Sequence, residues 1–280
     1  MKRSIKTRIL SGLTAAAMLI ACAGCGSGNA QSSGTEAPAA AADDSLDKVM
    51  SAKKLVLGLD ASFPPMGFTD ESNEIVGFDI DMAQEVCDRL GIELVKQPIN
   101  WDNKEEDLNL GKIDCIWNGM SINAARAEAM NLSEPYMKNE MVFVVPGDSD
   151  IKQTEDLKGR TVGVQTGSTA QEILEAWELY PEITETPLED NVTLLNQMEL
   201  GFSDTVFLDS VVAYYFIASN NKDYRVLPGN LESEEYAIGF RKADQALRDK
   251  VQETLSAMKA DGKLAEISEK WFGSDVTTVK

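Results

Sequence analysis

The sequence contains no histidine and only four cysteines among its 280 residues. Histidine is the most common general base and the most common zinc ligand, so its absence argues against the usual serine, cysteine and zinc hydrolases. Only Cys87 and Cys115 lie in the predicted folded part, and two distant cysteines do not make a disulfide scaffold. Buried free thiols and a single bridge between them both remain open. We predict neither a cofactor nor a metal site.

Basic residues are also scarce, since 26 lysines and arginines stand against 46 aspartates and glutamates, for a net charge of −20. The first 21 residues hold four of the basic residues and no acidic one, so the rest of the chain has 22 basic and 46 acidic residues, a net charge of −24. Nucleic acids and anionic membrane surfaces are bound by clustered lysines and arginines. We therefore expect neither nucleic acid nor a polybasic membrane contact.

No apolar run reaches the length of about 20 residues that a permanent transmembrane helix needs. The uncharged segment of residues 9–21 is shorter, ends in small residues and is followed by cysteine, glycine and serine. Four basic residues precede it, which are Lys2, Arg3, Lys6 and Arg8. This pattern is typical of a secretory signal peptide, to which we assign residues 1–21.

A cysteine directly follows the predicted signal peptide. Leu19-Ile20-Ala21-Cys22 resembles the bacterial lipobox, in which the cysteine is lipidated and becomes the new N-terminus, and Cys25 is the alternative. Residues 26–44 are almost all small or polar, so residues 22–45 are predicted to form a flexible tether. We expect a domain that is lipid-anchored at the extracellular face of the cell membrane, or held in the periplasm if the cell has an outer membrane.

Beyond the tether, short apolar runs alternate with helical patterns, which is typical of α/β folds with largely parallel sheets. Helices are predicted to begin at Asp79, Ser168 and Asp244, because aspartate and serine are favoured caps. Gln171 would complete a capping box with Ser168. The predicted strands are residues 54–59, 92–96, 113–117, 141–145, 161–164, 205–208 and 236–240.

Polar residues follow the ends of several predicted strands. Open α/β sheets bind ligands beyond the carboxyl ends of their strands, so we expect a binding site where these residues meet. The residues are Asp60 with Phe63, then Asn118, Gly119 and Ser121 leading to Arg126, then Gln165 to Thr169, and finally Asp209.

Nine different short motifs follow one another along residues 48–273. They are Gly58–Pro65, Gly77–Asp81, Gly111–Asp114, Gly119–Ile122, Arg126, Ser133–Tyr136, Leu157–Val164, Gly167–Thr169 and Lys270–Gly273. Together they strongly resemble the polar amino-acid-binding proteins of bacterial ABC importers, the extracellular solute-binding protein family 3, which includes glutamine, histidine and lysine-arginine-ornithine binders.

The resemblance implies an α/β, two-lobed periplasmic-binding-protein-like fold (type II), in which two α/β lobes joined by two crossing strands close on the ligand like a clamshell. It places lobe 1 at residues 48–137 plus 238–280 and lobe 2 at 140–235, with hinge strands near 138–141 and 234–238. The implied function is a non-catalytic, monomeric receptor that captures a polar L-amino acid and delivers it to an ABC permease and its ATPase.

The family's ligand contacts can be carried over to matching positions. Arg126 would bind the ligand α-carboxylate through both oxygens, with help from Ser121 and Thr169, and the start of the helix after Ser168 favours the same anion. Asp209 and the carbonyl of Gly119 would accept from the α-ammonium group. The ligand side chain would lie between Phe63 and Trp101, with Asp60, Gln165 and Asn118 at its distal end.

The helix start before Arg126 departs from the family's usual Thr-Pro-Glu-Arg or Thr-Asp-Glu-Arg. This chain has Asn123-Ala124-Ala125 there, so we expect a less well capped start with the arginine retained. Trp117 and Asn118 replace smaller residues of some members, which would narrow the pocket or add an amide contact.

Two other functions fit the same fold. A secreted dehydratase or related lyase would use a cleft carboxylate, such as Asp60 or Glu235, as general acid. A sensor domain would bind the same ligand and signal to a receptor instead of a transporter. The amino acid also stays open, with glutamine, cystine, and lysine or arginine as the candidates, because Asp60 can accept from a cation or from an amide.

Overall fold

The computed structural model describes residues 43–219 and 222–280 of the chain. The predicted signal peptide (1–21), the candidate lipidation sites Cys22 and Cys25, and nearly all of the predicted tether lie outside these described residues. The helices of the described part are α1 Ser45–Ala52, α2 Phe78–Leu90, α3 Lys104–Asn109, α4 Ala124–Ala129, α5 Thr169–Ala176, α6 Asn191–Glu199, α7 Ser210–Ser219, α8 Gln245–Ala260 and α9 Lys263–Phe272.

The strands are short and fall into three sheets. In chain order they are β1 Lys54–Leu59, β2 Ser62–Phe63, β3 Gly67–Thr69, β4 Ile75–Val76, β5 Glu93–Pro98, β6 Cys115–Ile116, β7 Met130–Leu132, β8 Met137–Pro146, β9 Thr161–Gln165, β10 Thr184–Leu188, β11 Thr205–Asp209, β12 Tyr224–Val226, β13 Glu232–Tyr236 and β14 Gly239–Arg241. The two large sheets have the orders β5-β1-β6-β14-β7 and β10-β9-β11-β8-β12, and β2, β3 and β4 form a small antiparallel sheet.

The fold is two-lobed, with one large sheet in each lobe. The chain leaves the first sheet after β7, enters the second through β8, and returns from β13 to β14. β8 and β13 pair antiparallel, from Met137 opposite Tyr236 to Met141 opposite Glu232. These two strands therefore form the connection between the lobes. The residue limits predicted for each lobe stay a prediction.

Both large sheets are mixed, whereas the sequence pattern predicted largely parallel ones. β1 is parallel to β5 and to β6, and β9 is parallel to β10 and to β11. β14 is antiparallel to both of its neighbours, and β8 is antiparallel to β11, β12 and β13. The prediction was wrong for these strands because each of them enters its sheet from the other lobe, in the reverse direction to the βαβ units.

The long helix α8 shows how the sequence pattern builds the core. Leu247, Val251, Leu255 and Met258 recur on one face of the helix and are all fully buried. Burial of each such side chain contributes about 1.5–3 kcal/mol to folding. The helix thereby covers the first sheet together with α2 and α9, which leaves the carboxyl ends of the strands free to line a site.

Two predicted helix caps have other roles. α2 begins at Phe78, so Asp79 lies inside the first turn, where its buried carboxylate accepts hydrogen bonds from Gly119 N at 2.7 Å and from the Tyr136 hydroxyl at 2.9 Å. Burial raises the pKa of Asp79 to about 7. Asp244 does precede α8 but makes no capping hydrogen bond, and it pairs with Arg241 at 2.7 Å.

The last predicted strand, residues 236–240, is two strands in different sheets. β13 ends at Tyr236 in the second sheet, and β14 begins at Gly239 in the first. Periodicity did not show this break because Tyr236, Ala237, Ile238 and Phe240 are all buried. The segment between the two strands is where the chain returns to the first lobe.

The two cysteines of the described part are free and buried. Cys87 lies on α2 and Cys115 on β6. Burial raises the pKa of both thiols, that of Cys87 to about 12, so neither is a ready nucleophile. Of the two alternatives that the sequence left open, the structure shows the free thiols.

Candidate functional site

One cavity between the two lobes brings together all ten residues that the sequence predicted for the ligand site. The space between its walls is about 270 Å³, including the part that is open to solvent. Its lining residues are Asp60, Phe63, Trp101, Asn118, Gly119, Ser121, Arg126, Gln165, Ser168, Thr169 and Asp209. Ser168, which was predicted only as a helix cap, is the one addition.

The convergence follows from the direction of four strands. Asp60 directly follows β1, Asn118 lies two residues after β6, and Gln165 and Asp209 are the last residues of β9 and β11. The carboxyl ends of the first two strands and those of the last two face each other across the cleft. Carboxyl ends of strands in open α/β sheets are the usual place for a ligand.

Arg126 supplies the buried cation of the cavity. It lies in α4, which is capped after all, because Asn123 Oδ1 accepts from Arg126 N at 2.8 Å. The side chain is only 3% exposed, and its Nη1 donates to the Ser121 carbonyl at 2.9 Å. Within the described residues, its buried Nη2 has no hydrogen-bond partner. Burial lowers the pKa of Arg126, so an anion bound there would relieve an unfavourable desolvation.

The opposite wall is the start of α5. Ser168 Oγ caps this helix by accepting from Gln171 N at 3.1 Å. The predicted capping box is only half present, because Gln171 Oε1 accepts from Gly167 N at 2.9 Å and not from Ser168 N. Thr169 Oγ1 donates across the cleft to Ser121 Oγ at 3.2 Å. A helix start carries free N–H groups and a positive dipole end, so this wall also favours an anion.

Asp209 is the acid beside Arg126. It is buried, it accepts from Asn139 Nδ2 at 2.8 Å and from the Tyr236 hydroxyl, and burial together with the nearby Glu234 raises its pKa to about 7. A bound ammonium group would favour its ionised form. Cation and acid in one small cavity are complementary to a zwitterion.

Gly119 allows the close packing on the first lobe. Its φ of +56° lies in the left-handed region, and a Cβ there would come within 2.8 Å of Phe63 Cε1. Its N–H is already used by Asp79. Only glycine can adopt this positive φ and leave room for the Phe63 ring without strain. The backbone at this position therefore lies close to the cavity.

The distal end of the cavity is closed by a hydrogen bond between the lobes. Gln165 Nε2 donates to Asp60 Oδ2 at 2.7 Å, and Gln165 Oε1 accepts from Asn191 Nδ2 at 3.1 Å. Asp60 also accepts from Ser62 N at 2.8 Å, and burial raises its pKa to about 6. Asn118 Oδ1 accepts from Asp60 N at 2.9 Å. A carboxylate and an amide thus form one polar end.

A buried lysine that was not predicted from the sequence lies beside the aromatic pair of Phe63 and Trp101. Phe63 and Trp101 are both buried against the cavity, and Lys104 Nζ lies 5.2 Å from the Trp101 ring centroid. Lys104 is 5% exposed and donates to the carbonyls of Trp101 at 3.2 Å and Gly167, on the other lobe, at 2.9 Å. Burial and the nearby Arg126 lower its pKa to about 8. In the sequence, Lys104 stands at the start of a helix with an acidic first turn. Lysines are mostly exposed, so nothing in this pattern predicted its burial.

Glu234 is the second residue that was missed. Glu235 was predicted as a possible cleft acid, but it is exposed on β13. The side chain of Glu234 is buried and accepts from Ser121 Oγ at 2.8 Å. Neighbouring residues of a strand point to opposite faces, so the choice depends on the register of β13 with β8. The sequence did not reveal that register.

Other kinds of site find little support in the described residues. No group of three or more cysteine, aspartate and glutamate side chains there is arranged to hold a metal ion. No helix of residues 43–219 and 222–280 has both the length and the apolar character needed to cross a membrane.

Comparison with known proteins shows the family to which the chain belongs. The model of the bacterial extracellular solute-binding proteins, family 3, matches residues 55–274. The chain belongs to this family. The membership expected from the short motifs is thereby confirmed, and members of the family are solute-binding proteins and not enzymes.

Several relatives are similar along most of their length. The L-cystine-binding protein TcyJ of Escherichia coli is 29% identical over 83% of this chain and 87% of its own. The arginine-binding extracellular protein ArtP of Bacillus subtilis is 30% identical over 93% of this chain and 96% of its own. An ABC uptake transporter substrate-binding protein from Streptococcus pneumoniae, solved with bound histidine, is 38% identical with a TM-score of 0.80, covering 85% of this chain and all of the other.

Proposed function

We propose that this protein is an extracytoplasmic receptor that binds an L-α-amino acid between its lobes and delivers it to an ABC permease. The observation that carries the proposal is the pairing, in one interlobe cavity, of a buried arginine that has an unused N–H group with a buried acid, Arg126 and Asp209. A free amino acid has one carboxylate and one ammonium group, and this pair is complementary to both.

The remaining lining residues extend the proposal to the whole ligand. Arg126, Ser121, Thr169 and the start of α5 would hold the α-carboxylate, because charge-assisted hydrogen bonds to a buried guanidinium are strong. Asp209 and the carbonyl of Gly119 would hold the α-ammonium group. The side chain would then extend between Phe63 and Trp101 toward the polar distal end.

The distal end points to a polar side chain. Asp60 and Gln165 can accept from an amide or an ammonium group, and Asn118 lies beside them. Relatives are named for cystine and arginine, and one is solved with histidine. Glutamine, cystine, and lysine or arginine remain the candidates, since each has a donor group at the end of its side chain.

A thermal-shift screen of the purified protein against the twenty amino acids, cystine and ornithine tests the proposal. A ligand that binds only the folded state at 100 times its Kd stabilises that state by about 2.7 kcal/mol, so the correct ligand raises the midpoint clearly. Isothermal titration calorimetry then gives its Kd. Failure of every amino acid to shift the midpoint, or chemical conversion of a bound one detected by mass spectrometry, contradicts the proposal.

Delivery to a permease is part of the proposal, and signalling to a receptor is its alternative. The two lobes would present a joint surface to the permease only when closed. A monomer suffices for this, because one chain forms the whole cavity. Genes for a permease and an ATPase beside this one support delivery, and uptake of the ligand that persists after deletion of this gene argues against it.

A lipid anchor would keep the receptor near its permease. We assign the lipid to Cys22, the cysteine after Leu19-Ile20-Ala21, with residues 22–45 as a tether of sufficient reach. In a cell without an outer membrane, Cys22→Ser should release active binder into the medium. Cys25→Ser is the matched control and should stay with the membrane, and the reverse result would move the lipid to Cys25.

A further inference from the structure

Glu234 is a buried carboxylate directly behind the proposed α-carboxylate position. It lies on β13, one of the two connecting strands, and is 8% exposed. Its Oε2 accepts from Ser121 Oγ at 2.8 Å and from Asn139 Nδ2 at 3.4 Å. The same Asn139 Nδ2 donates to Asp209 at 2.8 Å. The two acids therefore share one amide donor beside the ligand cavity.

The Ser121 hydroxyl has only one hydrogen atom to donate. It accepts from Thr169 Oγ1 and gives its own hydrogen to Glu234. The proposed function requires Ser121 to donate to the ligand α-carboxylate as well. An ionised Glu234 and a bound carboxylate would thus compete for a single hydrogen, and one of them would be left without it.

The charges around Glu234 also disfavour a second anion while that residue is ionised. The charged and titratable groups near it are Arg126 of α4, Asp209 of β11, Tyr236 of its own strand, and Lys138 and Glu140 of β8. Lys138 and Glu140 are exposed, so Arg126 is the buried cation of this group. With a zwitterionic ligand bound, Glu234, Asp209 and the ligand carboxylate would stand against the Arg126 guanidinium and the ligand ammonium group, which leaves one uncompensated negative charge in a desolvated site.

Asp209 cannot be the acid that becomes neutral, because it has to remain ionised to accept from the α-ammonium group. We propose that Glu234 completes the α-carboxylate site and is the neutral acid in the complex, so that the receptor takes up one proton together with its amino acid. The Glu234 O–H then donates to Ser121 Oγ, and the Ser121 hydrogen turns to the ligand. The proton comes from the solvent. This inference rests on the proposed function.

The environment of Glu234 in the free protein is consistent with easy protonation. Burial raises the pKa of Glu234, although the hydrogen bonds from Ser121, Thr169 and Asn139 and the charge of Arg126 oppose that rise. A bound carboxylate would raise that pKa further, since a nearby like charge disfavours ionisation.

Calorimetric titration at pH 8 tests the proposal, because Asp209, with its pKa of about 7, is then mostly ionised in the free protein. L-Glutamine, L-arginine and L-cystine serve as probes, in phosphate and in Tris, whose ionisation enthalpies differ. Wild type should take up close to one proton per ligand bound. Glu234→Gln, which cannot be protonated, should take up close to one proton fewer.

Glu235→Gln is the matched control, since it removes the neighbouring, exposed carboxylate of the same strand. It should take up the same number of protons as wild type. From pH 7 to pH 8 the wild-type affinity should fall by up to tenfold relative to that of Glu234→Gln, as linkage to one proton requires. The difference in pH dependence between wild type and Glu234→Gln separates the effect of Glu234 from that of other groups that titrate in this range.

Equal proton uptake by wild type and Glu234→Gln overturns the inference, and so does a wild-type affinity that falls no more between pH 7 and pH 8 than that of Glu234→Gln. The infrared spectrum provides a second measurement that needs no variant. A protonated carboxyl band should appear when wild type binds its ligand at pH 8, and its absence refutes the neutral acid. If wild type binds no amino acid at all, the proposed function fails first and this inference fails with it.

Discussion

Replacement of Arg126 by alanine tests the core of the proposed site. The arginine is buried and its Nη1 is held by the Ser121 carbonyl at 2.9 Å, so the guanidinium is already positioned before a ligand arrives. Removing one partner of a buried, hydrogen-bonded charge pair costs about 2–5 kcal/mol. At 1.4 kcal/mol per factor of ten, the Kd should rise by about 30-fold to 4,000-fold.

Folding should be almost unaffected by Arg126→Ala. The variant loses one hydrogen bond from a charged group, worth about 1.5–3 kcal/mol, but it also removes a desolvated charge whose pKa burial has lowered. The two effects oppose each other. The melting midpoint of the ligand-free protein should therefore stay close to that of wild type.

Calorimetry with the ligand found by the thermal-shift screen measures the loss of affinity in Arg126→Ala. Arg248→Ala is the control, because Arg248 lies on α8, pairs with Asp249 at 3.0 Å and does not line the cavity. It should bind as wild type does. A folded Arg126→Ala protein whose Kd is within tenfold of wild type would refute the assignment of this arginine to the α-carboxylate.

Two further predictions concern buried ionisable groups. Lys104→Met removes the hydrogen bond to the Gly167 carbonyl across the cleft. Because a bond to a charged group contributes about 1.5–3 kcal/mol, stopped-flow tryptophan fluorescence should show ligand release at least about tenfold faster. Lys112, whose side chain is 59% exposed, provides the control, and Lys112→Met should leave the release rate unchanged. The pKa of Asp79 is raised to about 7 from 3.8, so the folded state holds a proton that the unfolded state loses. Wild type should therefore lose about 3 kcal/mol of stability from this group between pH 5 and pH 8. Urea unfolding at pH 5 and pH 8 should show a shallower pH dependence for Asp79→Asn, and an equal dependence would contradict the buried acid.

The sequence was informative where function depends on short local order. Nine of the ten site residues lie at strand ends or in short motifs, and Trp101 is the exception. The strand ends could be located from apolar runs bounded by turn residues. Because the carboxyl ends of strands in such sheets face one site, local information was enough to bring Asp60, Arg126, Gln165 and Asp209 into the same cavity before any coordinates were known.

Local patterns failed where a side chain has more than one possible partner. Asp79 was predicted to cap α2, a role that an aspartate at a helix start commonly has. Its carboxylate turns instead to Gly119 N, 40 residues along the chain. Asn123 shows the reverse case, since its cap was expected to be poor, yet its side chain accepts from Arg126 N. Such choices depend on which donors the fold brings within reach.

The sequence by itself determined the family, the two-lobed fold and the residues that meet in the cleft, because these depend on the order of motifs and on strand polarity. Only the tertiary structure decided that Glu234 and not Glu235 is buried against Ser121, that Lys104 reaches the other lobe, and that residues 236–240 divide between two sheets. Each of these depends on the register and direction with which distant segments pair. A shift of one residue on β13 would exchange the two glutamates while leaving the sequence pattern unchanged.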